Sequence, residues 1–410
     1  MKLLQINVTA NSGSTGRIAE DIGLLASSNG WESYIAYGRT NNYSKNKIIR
    51  IGSDIDIKIH GLLTRVFDNH SFGFSSKKAT KKFIIEIDKI KPDIIHLHNI
   101  HGYYINSKIL FEYLSKLTTP IIWTFHDCWS FTGHCAYFDF VGCDKWKTEC
   151  YSCPQKKSYP SSIIFDNSRK NYIIKKELFN SLKNMTIVPV SYWLGDLVKE
   201  SFLGKYPIKV IQNGIDINAF NIKNYDDIQT KYNIKDKFII LGVASTWDMR
   251  KGLSDFIGLS ERLKEDEIII LLGLCKEQIE LLPHNIIGIE RTESVEELAK
   301  FYSMADVYFN ASVEETFGLT TIEAFACGTA TIVYNKTAIP EVVDENVGWI
   351  LEPRDFDSII KIISILKYEP NLIKEKRKIN CRQKAERLYN KDIKFQEYFE
   401  LYNTVLRRCF

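Results

Sequence analysis

Two glutamates in the last third of the 410-residue sequence have a spacing that suits a site for an anionic ligand. Glu315 and Glu323 are separated by seven residues, and Gly318 lies between them. Leu319–Ala326 is predicted to form a helix, so its first backbone N–H groups would form an anion site. Glu323, one turn inside that helix, would accept hydrogen bonds from a ribose diol. The pattern predicts a site for a sugar–diphosphate–nucleoside, with two exposed surface glutamates beside a glycine turn as the alternative.

A pair of basic residues and a glycine loop add two candidate phosphate contacts. Arg250 and Lys251 follow the predicted strand Phe238–Val243, where they would neutralise a pyrophosphate; a solvated helix start is the alternative. The loop Asn11–Gly16, between the first strand and the first helix, has glycines that let the backbone approach a phosphate. The sequence has neither a G-x-x-x-x-G-K-S/T motif nor a full G-x-G-x-x-G motif, which disfavours a P-loop ATPase and an NAD dehydrogenase.

A histidine lies at the end of another predicted strand. His126 follows the strand Ile121–Phe125, and ligands of open α/β sheets bind at the carboxyl ends of strands. We therefore expect His126 to meet a substrate, with a structural histidine that is hydrogen-bonded at the strand end as the alternative.

Four of the nine cysteines lie in one short segment with the spacing of metal ligands. Cys135, Cys143, Cys150 and Cys153 are separated by seven, six and two residues. Four thiolates from one loop can close a tetrahedral zinc site. The surrounding insertion, about residues 128–160, has no clear strand or helix. A segment of this length in a compact domain needs an internal cross-link to hold its structure. The segment predicts a structural zinc ion, with free buried thiols or an iron–sulfur or redox centre as alternatives.

The elements that must position these residues alternate along the chain. Short runs rich in isoleucine and valine are separated by helix-length segments, first up to about residue 200 and again from Phe238 onward. This alternation is typical of buried parallel strands in βαβ units. It predicts an α/β protein with two doubly wound domains. The predicted boundaries are 1–205 for the first domain, 206–385 for the second and 386–410 for a terminal helix.

The composition is that of an ordinary globular protein. Hydrophobic residues make up 45% of the chain and charged residues 25%, which excludes disordered, collagen-like and disulfide-dense classes. No signal peptide is visible, and the apolar runs are strand-sized. A cytoplasmic location with reduced cysteines is therefore expected.

The net charge of +4 hides an uneven distribution. Lys+Arg and Asp+Glu number 26 and 18 in residues 1–200, 14 and 23 in residues 201–350, and 14 and 9 in residues 351–410. The three segments therefore carry +8, −9 and +5. The distribution suggests modules that face different partners, with composition noise on solvated faces as the alternative.

Together these residues resemble the pattern of glycosyltransferase family 4, the retaining GT-B glycosyltransferases. The block Ser312–Gly328 is similar to the family's E-x7-E signature, Val210–Asp216 to its interdomain segment, and Lys251 to its phosphate-binding lysine. The stretch from Trp123 and its cysteine loop resembles a bacterial surface-polysaccharide subgroup. The resemblance implies a GT-B fold, in which two Rossmann-like domains face a cleft. The first would be the acceptor domain, the second the nucleotide-sugar donor domain, and the C-terminal helix, residues 386–410, would pack back on the first domain.

The resemblance also implies a role for each residue of the second domain. Glu315 would contact the donor hexose, Glu323 would hold the ribose, and Lys251 would hold the diphosphate. The sugar and phosphates would be lined by Phe317, Gly318, Leu319 and Thr320.

In the first domain, His126 matches the family's histidine near the transferred sugar, and Gly16 matches the loop that meets the phosphate. Family members often have an arginine about five or six residues before the lysine, where this chain has Ser245 and Thr246. Arg250 is the candidate that would take the place of that arginine.

The expected activity is the retaining transfer of a sugar from a nucleotide diphosphate sugar to a hydroxyl of a glycan or lipid-linked acceptor, in surface polysaccharide biosynthesis. Glu315, His126 and Lys251 are the expected catalytic residues, without a catalytic divalent metal and without a nucleic-acid partner. The basic segments would contact anionic lipid at the inner face of the plasma membrane. The alternatives are a nucleotide-sugar epimerase or hydrolase of the same fold, and a non-catalytic protein that binds sugar nucleotides.

Overall fold

The structure, a computed structural model, describes residues 1–407 and divides into two compact units. The first unit comprises Met1–Ile211 and the chain from Phe395 onward, and the second comprises Gln212–Lys394. The predicted divisions lie after residues 205 and 385, and the last residues of the predicted segment 386–410 lie outside the described part of the chain.

The first unit is built on a six-stranded parallel sheet with helices between the strands. Its elements are β1 (Lys2–Asn7), α1 (Gly13–Ser28), β2 (Glu32–Tyr37), β3 (Lys47–Arg50), α2 (Asp54–Phe67), α3 (Lys77–Ile90), β4 (Ile94–Leu97), α4 (Ser107–Leu114), β5 (Ile121–Phe125), α5 (Ser168–Phe179), β6 (Met185–Pro189) and α6 (Tyr192–Glu200). The strand order is β3-β2-β1-β4-β5-β6.

The second unit repeats this plan. Its elements are α7 (Asp226–Tyr232), β7 (Phe238–Val243), α8 (Leu253–Ser260), β8 (Glu267–Leu272), α9 (Lys276–Ile279), β9 (Ile286–Ile289), α10 (Val295–Met304), β10 (Val307–Asn310), α11 (Leu319–Ala326), β11 (Thr331–Tyr334), β12 (Gly348–Leu351), α12 (Phe356–Tyr368) and α13 (Asn371–Leu388). The strand order is β12-β11-β10-β7-β8-β9, and all pairs are parallel. The predicted α/β class with two doubly wound sheets is confirmed.

Each sheet reverses its strand order once. The reversal lies between β1 and β4 in the first unit and between β7 and β10 in the second. Loops that leave two such strands at their carboxyl ends run to opposite faces of the sheet and leave a crevice, which is where open α/β sheets bind ligands. Each unit therefore has one favoured place for a ligand.

The last helix, α14 (Lys391–Arg407), belongs mostly to the first unit. Its Phe395 and Tyr402 are buried in one core cluster with Leu3 of β1. The hydroxyl of Tyr402 also lies 2.6 Å from Nδ1 of buried His96. The C-terminal helix therefore packs on the first unit, as the resemblance implies.

Two elements, β3 and α2, have no counterpart among the sequence predictions. The strand β3 is at the edge of the sheet and mostly exposed, so it lacks the apolar run that marks a buried strand. The buried residues of α2 are the polar His60 and Thr64, so its apolar positions do not mark a core-facing helix. Between β5 and α5 the regular structure consists of three short 3-10 helices, at Trp129–Phe131, Asp139–Val141 and Lys145–Lys147.

Within residues 1–407, every helix is too short or too polar to span a lipid bilayer.

Candidate active site

Two loops of the second unit meet at the reversal between β7 and β10. After β7, Asp248 caps a 3-10 helix, and its Oδ1 accepts hydrogen bonds from the backbone N–H groups of Arg250 and Lys251 at 3.0 and 3.1 Å. The backbone N–H of Val313, after β10, donates to the carbonyl of Arg250 at 2.9 Å. Gly252 has φ of +75°, and a Cβ there would lie 2.4 Å from the carbonyl oxygen of the β10 loop. The close approach of the two loops therefore requires glycine at this position.

This junction brings together the predicted hexose and phosphate residues. The ammonium of Lys251 is hydrogen-bonded to Oε1 of Glu315, and both side chains are mostly buried, at 18% and 15% exposed. Ser312 donates to the same Oε1 at 3.1 Å, and Thr337 Oγ1 accepts from the backbone N–H of Glu315 at 2.9 Å. Burial raises the pKa of the Glu315 carboxyl, but the charges of Lys251 and Arg250 outweigh burial and hold that pKa below its usual value.

The amino end of α11 lies directly after this carboxylate. Gly318 is the N-cap residue in the left-handed conformation, with φ of +102°, and α11 has no side-chain cap. Its first N–H groups are therefore left without the capping side chain that most helices have, which is the arrangement that binds a phosphate. Phe317, which precedes Gly318 in the sequence, is buried. The hydroxyls of Thr320 and Tyr308 are hydrogen-bonded to each other.

Glu323 lies one turn inside α11 and is half-buried. Its Oε2 accepts a hydrogen bond from the hydroxyl of Tyr302 at 3.0 Å. Tyr302 is fully buried, and burial raises its pKa well above the usual value, so it remains a donor. The carboxylate is thereby fixed on the same helix whose amino end would hold a diphosphate.

Arg250 is tied to the β10 loop. Its Nη1 donates to the carbonyl of Glu314 at 2.8 Å, and its guanidinium lies 3.7 Å from Asp248. Ser245 and Thr246, at the positions where the resemblance implies an arginine, are exposed and offer only hydroxyl groups. Lys251 and the amino end of α11 are therefore the main positive groups of this crevice.

The predicted residues of the first unit, Gly16 and His126, lie at the carboxyl edge of its own sheet. A Cβ at Gly16 would be 2.6 Å from Thr9 Oγ1, so the loop after β1 packs tightly on α1. His126 Nε2 lies 3.1 Å from Nδ1 of His98, whose Nε2 lies 3.1 Å from Gln5 Oε1. Burial lowers the pKa of His126 to about 4, so its imidazole is neutral near pH 7.

The four cysteines of the insertion line one small cavity of about 10 Å3, together with His134. Cys135 and Cys153 are hydrogen-bonded to each other, and this bond lowers the pKa of Cys153 to about 7. Cys150 Sγ accepts a hydrogen bond from the backbone N–H of Gly133 at 3.2 Å. All four thiols are free of disulfides.

Within residues 1–407, three potential ligand atoms lie within 4.8 Å of one another only at Asp68, His70 and His134. Trp129 Nε1 donates to His70 Nδ1 at 2.8 Å, so the proton of neutral His70 is on Nε2, which points at Asp68 Oδ1 from 2.7 Å. His134 Nδ1 lies at the same distance from that oxygen. This trio is therefore a hydrogen-bonded network in which His70 has no lone pair left for a metal.

Ser312, Thr337, Tyr302 and Asp248 orient the predicted residues and were not themselves predicted. Ser312 and Asp248 are two or three residues away from the residues to which they are hydrogen-bonded. A hydroxyl or carboxylate so close in sequence to a charged loop residue could have been predicted to orient it. Thr337 and Tyr302 are 22 and 21 residues away from their partners, so only the folded sheet brings them close.

The family model of glycosyl transferases group 1 matches residues 224–387. The colanic acid biosynthesis glycosyl transferase WcaC of Escherichia coli (strain K12) is 26% identical over 231 residues, which cover 53% of this chain and 55% of WcaC. The match therefore spans about half the length of that relative.

Two solved structures share the fold over nearly the whole chain. Sucrose-phosphate synthase from Thermosynechococcus elongatus has a TM-score of 0.73 at 17% identity, with 99% of each chain covered. Anabaena Alr3699/HepE, in complex with UDP and glucose, has a TM-score of 0.67 at 14% identity, with 98% of this chain and 100% of that chain covered. The family match therefore lies within the second unit, which resembles glycosyl transferases group 1 in sequence, and the whole chain has the GT-B fold of these two structures.

Proposed function

We propose that the protein transfers a sugar, with retention, from a nucleoside diphosphate sugar to a hydroxyl of a glycan or lipid-linked acceptor in surface polysaccharide biosynthesis. The observation that carries the proposal is the Lys251–Glu315 pair beside the uncapped amino end of α11. A donor diphosphate placed there would accept hydrogen bonds from the helix amide groups and from Lys251. The polysaccharide role follows from the likeness to WcaC.

The three parts of the donor would then contact different residues of the second unit. Glu323, fixed by Tyr302, would accept hydrogen bonds from the ribose diol. Glu315, which Ser312 orients, would face the transferred sugar. Lys251 would exchange part of its contact with Glu315 for the diphosphate as the donor enters.

In the reaction, the bond between the sugar's anomeric carbon and the diphosphate oxygen breaks, and a bond from that carbon to the acceptor oxygen forms. Retention would follow if the acceptor hydroxyl attacks from the side of the departing diphosphate and passes its proton to a leaving phosphate oxygen. Negative charge grows on the diphosphate as the bond breaks. Lys251 and the α11 amide groups would stabilise that charge without having to move, which makes them effective electrostatic catalysts.

We also propose that the cysteine loop holds a structural zinc ion through Cys135, Cys143, Cys150 and Cys153. The four thiols line one cavity, and Cys150 already accepts a backbone N–H bond of the kind that zinc-bound thiolates take. No three of their sulfur atoms lie within 4.8 Å of one another, so zinc would have to draw them together. The fully buried Lys175 lies next to Cys135 and Cys150 and hydrogen-bonds two carbonyl groups at 2.6 and 2.9 Å. Burial lowers the pKa of Lys175 to about 7, and thiolates bound to zinc would favour its charged form.

Peripheral contact with an anionic membrane, at the cytoplasmic face, is the last part of the proposal. It is supported by the α2 outer face, defined here as Ile55, Lys58, Ile59, Leu62 and Arg65. These residues recur at helical spacing, and the three apolar ones are 69%, 51% and 61% exposed. Apolar side chains interleaved with basic ones fit a lipid surface of negative charge.

The side of α2 that faces the protein interior is polar, so the exposed apolar residues are not there to cover a core. His60 is buried there and bonds the carbonyl of His70 at 2.6 Å and Ser76 Oγ at 2.9 Å. The segment after the cysteine loop extends the apolar surface, because the Phe165 ring stacks on Phe67 at 5.8 Å. The helix therefore keeps polar groups inside and apolar groups outside.

A panel of nucleotide sugars tests the donor proposal. We expect one member to raise the thermal midpoint of the protein, because a ligand that binds the folded state at about 100 times its Kd stabilises it by about 2.7 kcal/mol. Lys251→Ala should remove most of this shift, while Lys276→Ala, at an exposed lysine of the same unit, should leave it unchanged. Equal shifts in the two variants would contradict the phosphate role of Lys251.

A further inference from the structure

Strand β1 has a buried glutamine in an otherwise apolar run. Gln5 is 0% exposed, and so are its neighbours Leu4 and Ile6. Burying an amide is unfavourable unless its polar atoms are hydrogen-bonded, so the partners of a buried polar side chain are informative. Neither Gln5 nor its partner His98 is among the predicted donor, catalytic or metal residues.

A chain of hydrogen bonds leads from α1 through Gln5 and His98 to His126. Gln5 Nε2 donates to the carbonyl of Ala19 at 2.7 Å, so the other amide atom, Oε1, is the one that lies 3.1 Å from His98 Nε2. His98 Nδ1 in turn lies 3.1 Å from His126 Nε2. The two rings are inclined by only 20° with their centroids 5.4 Å apart, so these two nitrogens face each other edge to edge.

The direction of the chain is set at Gln5. An amide oxygen only accepts, so His98 donates through its Nε2–H. Burial lowers the pKa of His98 well below its usual value and the pKa of His126 to about 4, so near pH 7 each ring carries a single proton. With that proton on Nε2, His98 presents a lone pair at Nδ1, to which His126 donates through its own Nε2–H. The proton of neutral His126 is therefore on Nε2, and its Nδ1 carries none.

The core holds the middle of this chain in place. The His98 backbone N–H donates to the carbonyl of Ile6 at 2.9 Å, and its carbonyl accepts a hydrogen bond from Trp123 Nε1 at 3.0 Å. The His98 ring packs on the ring of His96 with centroids 4.0 Å apart. The orientation of His98, and through it that of His126, is thus set by buried neighbours.

We propose that Gln5 and His98 are positioning residues that hold His126 as the Nε2–H tautomer, so that His126 takes part in sugar transfer as a hydrogen-bond acceptor and not as a proton donor. The role in transfer rests on the proposed function, whereas the tautomer does not. The proposed reaction needs no proton from His126, because the acceptor hydroxyl passes its own proton to a leaving phosphate oxygen. Any hydrogen bond that His126 makes through Nδ1 is one that it accepts.

NMR of ¹⁵N-histidine-labelled protein tests the tautomer, because the couplings between ring nitrogens and ring protons show which nitrogen carries the proton. The chain has eight histidines, and the His126 signals are identified by their loss in His126→Gln. We expect the proton of wild-type His126 on Nε2 near pH 7. A proton on Nδ1, or on both nitrogens, would overturn the proposal.

Two substitutions at Gln5 separate the direction of the chain from its packing. Gln5→Glu keeps an oxygen that accepts from His98 Nε2–H, so the tautomer of His126 should not change. Gln5→Leu removes that oxygen, which frees His98 to carry its proton on either nitrogen, so part of the His126 signal should move to the Nδ1–H form. Gln155→Leu, at another buried glutamine of the first unit, is the matched control and should leave the tautomer unchanged. A His126 that keeps only the Nε2–H form in Gln5→Leu would overturn the role of Gln5.

Kinetics with the donor found by the nucleotide-sugar panel, and p-nitrophenyl glycosides as acceptor probes, test the role in transfer. The kcat of Gln5→Leu should fall about fivefold to tenfold, as for the loss of one hydrogen bond, and Gln5→Glu should recover most of it. A shifted tautomer with unchanged kcat would overturn the positioning role. The wild-type spectrum decides the tautomer even if Gln5→Leu fails to fold. A wild type that has the expected tautomer but consumes no donor would instead contradict the proposed transfer.

Discussion

Glu323 of the proposed donor site is held by a hydrogen bond from Tyr302 and lies outside the Lys251–Glu315 pair. One of its carboxylate oxygens accepts the hydroxyl of buried Tyr302 at 3.0 Å, and its backbone belongs to the helix that begins at Gly318. A ribose diol that meets this carboxylate would form charge-assisted hydrogen bonds. A substitution at Glu323 would therefore test the proposed nucleoside recognition separately from the proposed chemistry at Lys251 and Glu315.

Glu323→Ala should raise the donor KM by about tenfold to hundredfold, since hydrogen bonds to a charged group contribute about 1.5–3 kcal/mol. Steady-state kinetics with the preferred nucleotide sugar measure this change. Glu290→Ala, at an exposed glutamate of the same unit, should leave the donor KM unaltered. Unchanged kinetics in Glu323→Ala would rule out the ribose role.

At the residue scale, the sequence indicates candidate site residues more readily than the side chains that orient them. Glu315 and Lys251 are recognisable because their loops follow strand-sized apolar runs and ligands bind at strand ends. That the two side chains form one hydrogen-bonded pair depends on the β7–β10 pairing, which no local pattern encodes. Thr337 and Tyr302 escape prediction for the same reason, because their partners are distant in sequence.

The cysteine loop is the element with the least regular structure and the most buried aromatic side chains. Trp129, Phe131 and Trp146 are nearly inaccessible to solvent, although the loop has only short 3-10 helices. Buried His134 Nε2 has no hydrogen-bond partner, and the cavity that His134 lines is shared with the four cysteines. A zinc ion held by the four cysteines would cross-link a loop that has little regular structure of its own.

Metal analysis of protein purified without chelator should therefore find about one zinc ion per chain. Cys150→Ser should lower the zinc content and the thermal midpoint, because it removes a ligand from a site that staples the loop. Cys275→Ser, at an exposed cysteine of the second unit, is the matched control. Absence of metal from the wild type would refute the zinc proposal.

Helix α2 shows why some elements are not predictable from apolar spacing. The three apolar residues of its outer face have helical periodicity, but they point away from the core. A periodic pattern predicts which face of a helix is apolar, but it does not predict whether that face packs on the core or is exposed. The central strands of both sheets, by contrast, are buried on both faces, so their apolar runs identify them directly.

Sedimentation with vesicles of phosphatidylglycerol and phosphatidylcholine tests the α2 outer face. Ile59→Asp should reduce binding by about tenfold or more, since burying such a side chain contributes about 1.5–3 kcal/mol. Leu281→Asp, at a residue of the second unit that is 82% exposed, should have no effect. Binding should weaken with salt, because the Lys58 and Arg65 charges are screened. Equal binding by the two variants would exclude this face as the contact.

At the scale of the whole molecule, the charge pattern follows the two units only in part. The basic first 200 residues form nearly all of the first unit, but the +5 of the last segment lies in residues 351–394, which belong to the second unit. The acidic segment 201–350 carries the proposed donor site. Diphosphate binding there must rely on Lys251 and the end of α11, because the net charge of the segment opposes it.

Transfer itself is tested by incubating the protein with its preferred nucleotide sugar and a p-nitrophenyl glycoside or lipid-linked glycan extract, and following the products by mass spectrometry. We predict that each nucleoside diphosphate released is matched by one sugar added to the acceptor, and that release is much slower without acceptor. Conversion of the donor to free sugar or to an isomeric nucleotide sugar regardless of acceptor, or binding without any turnover, would contradict the assignment as a glycosyltransferase.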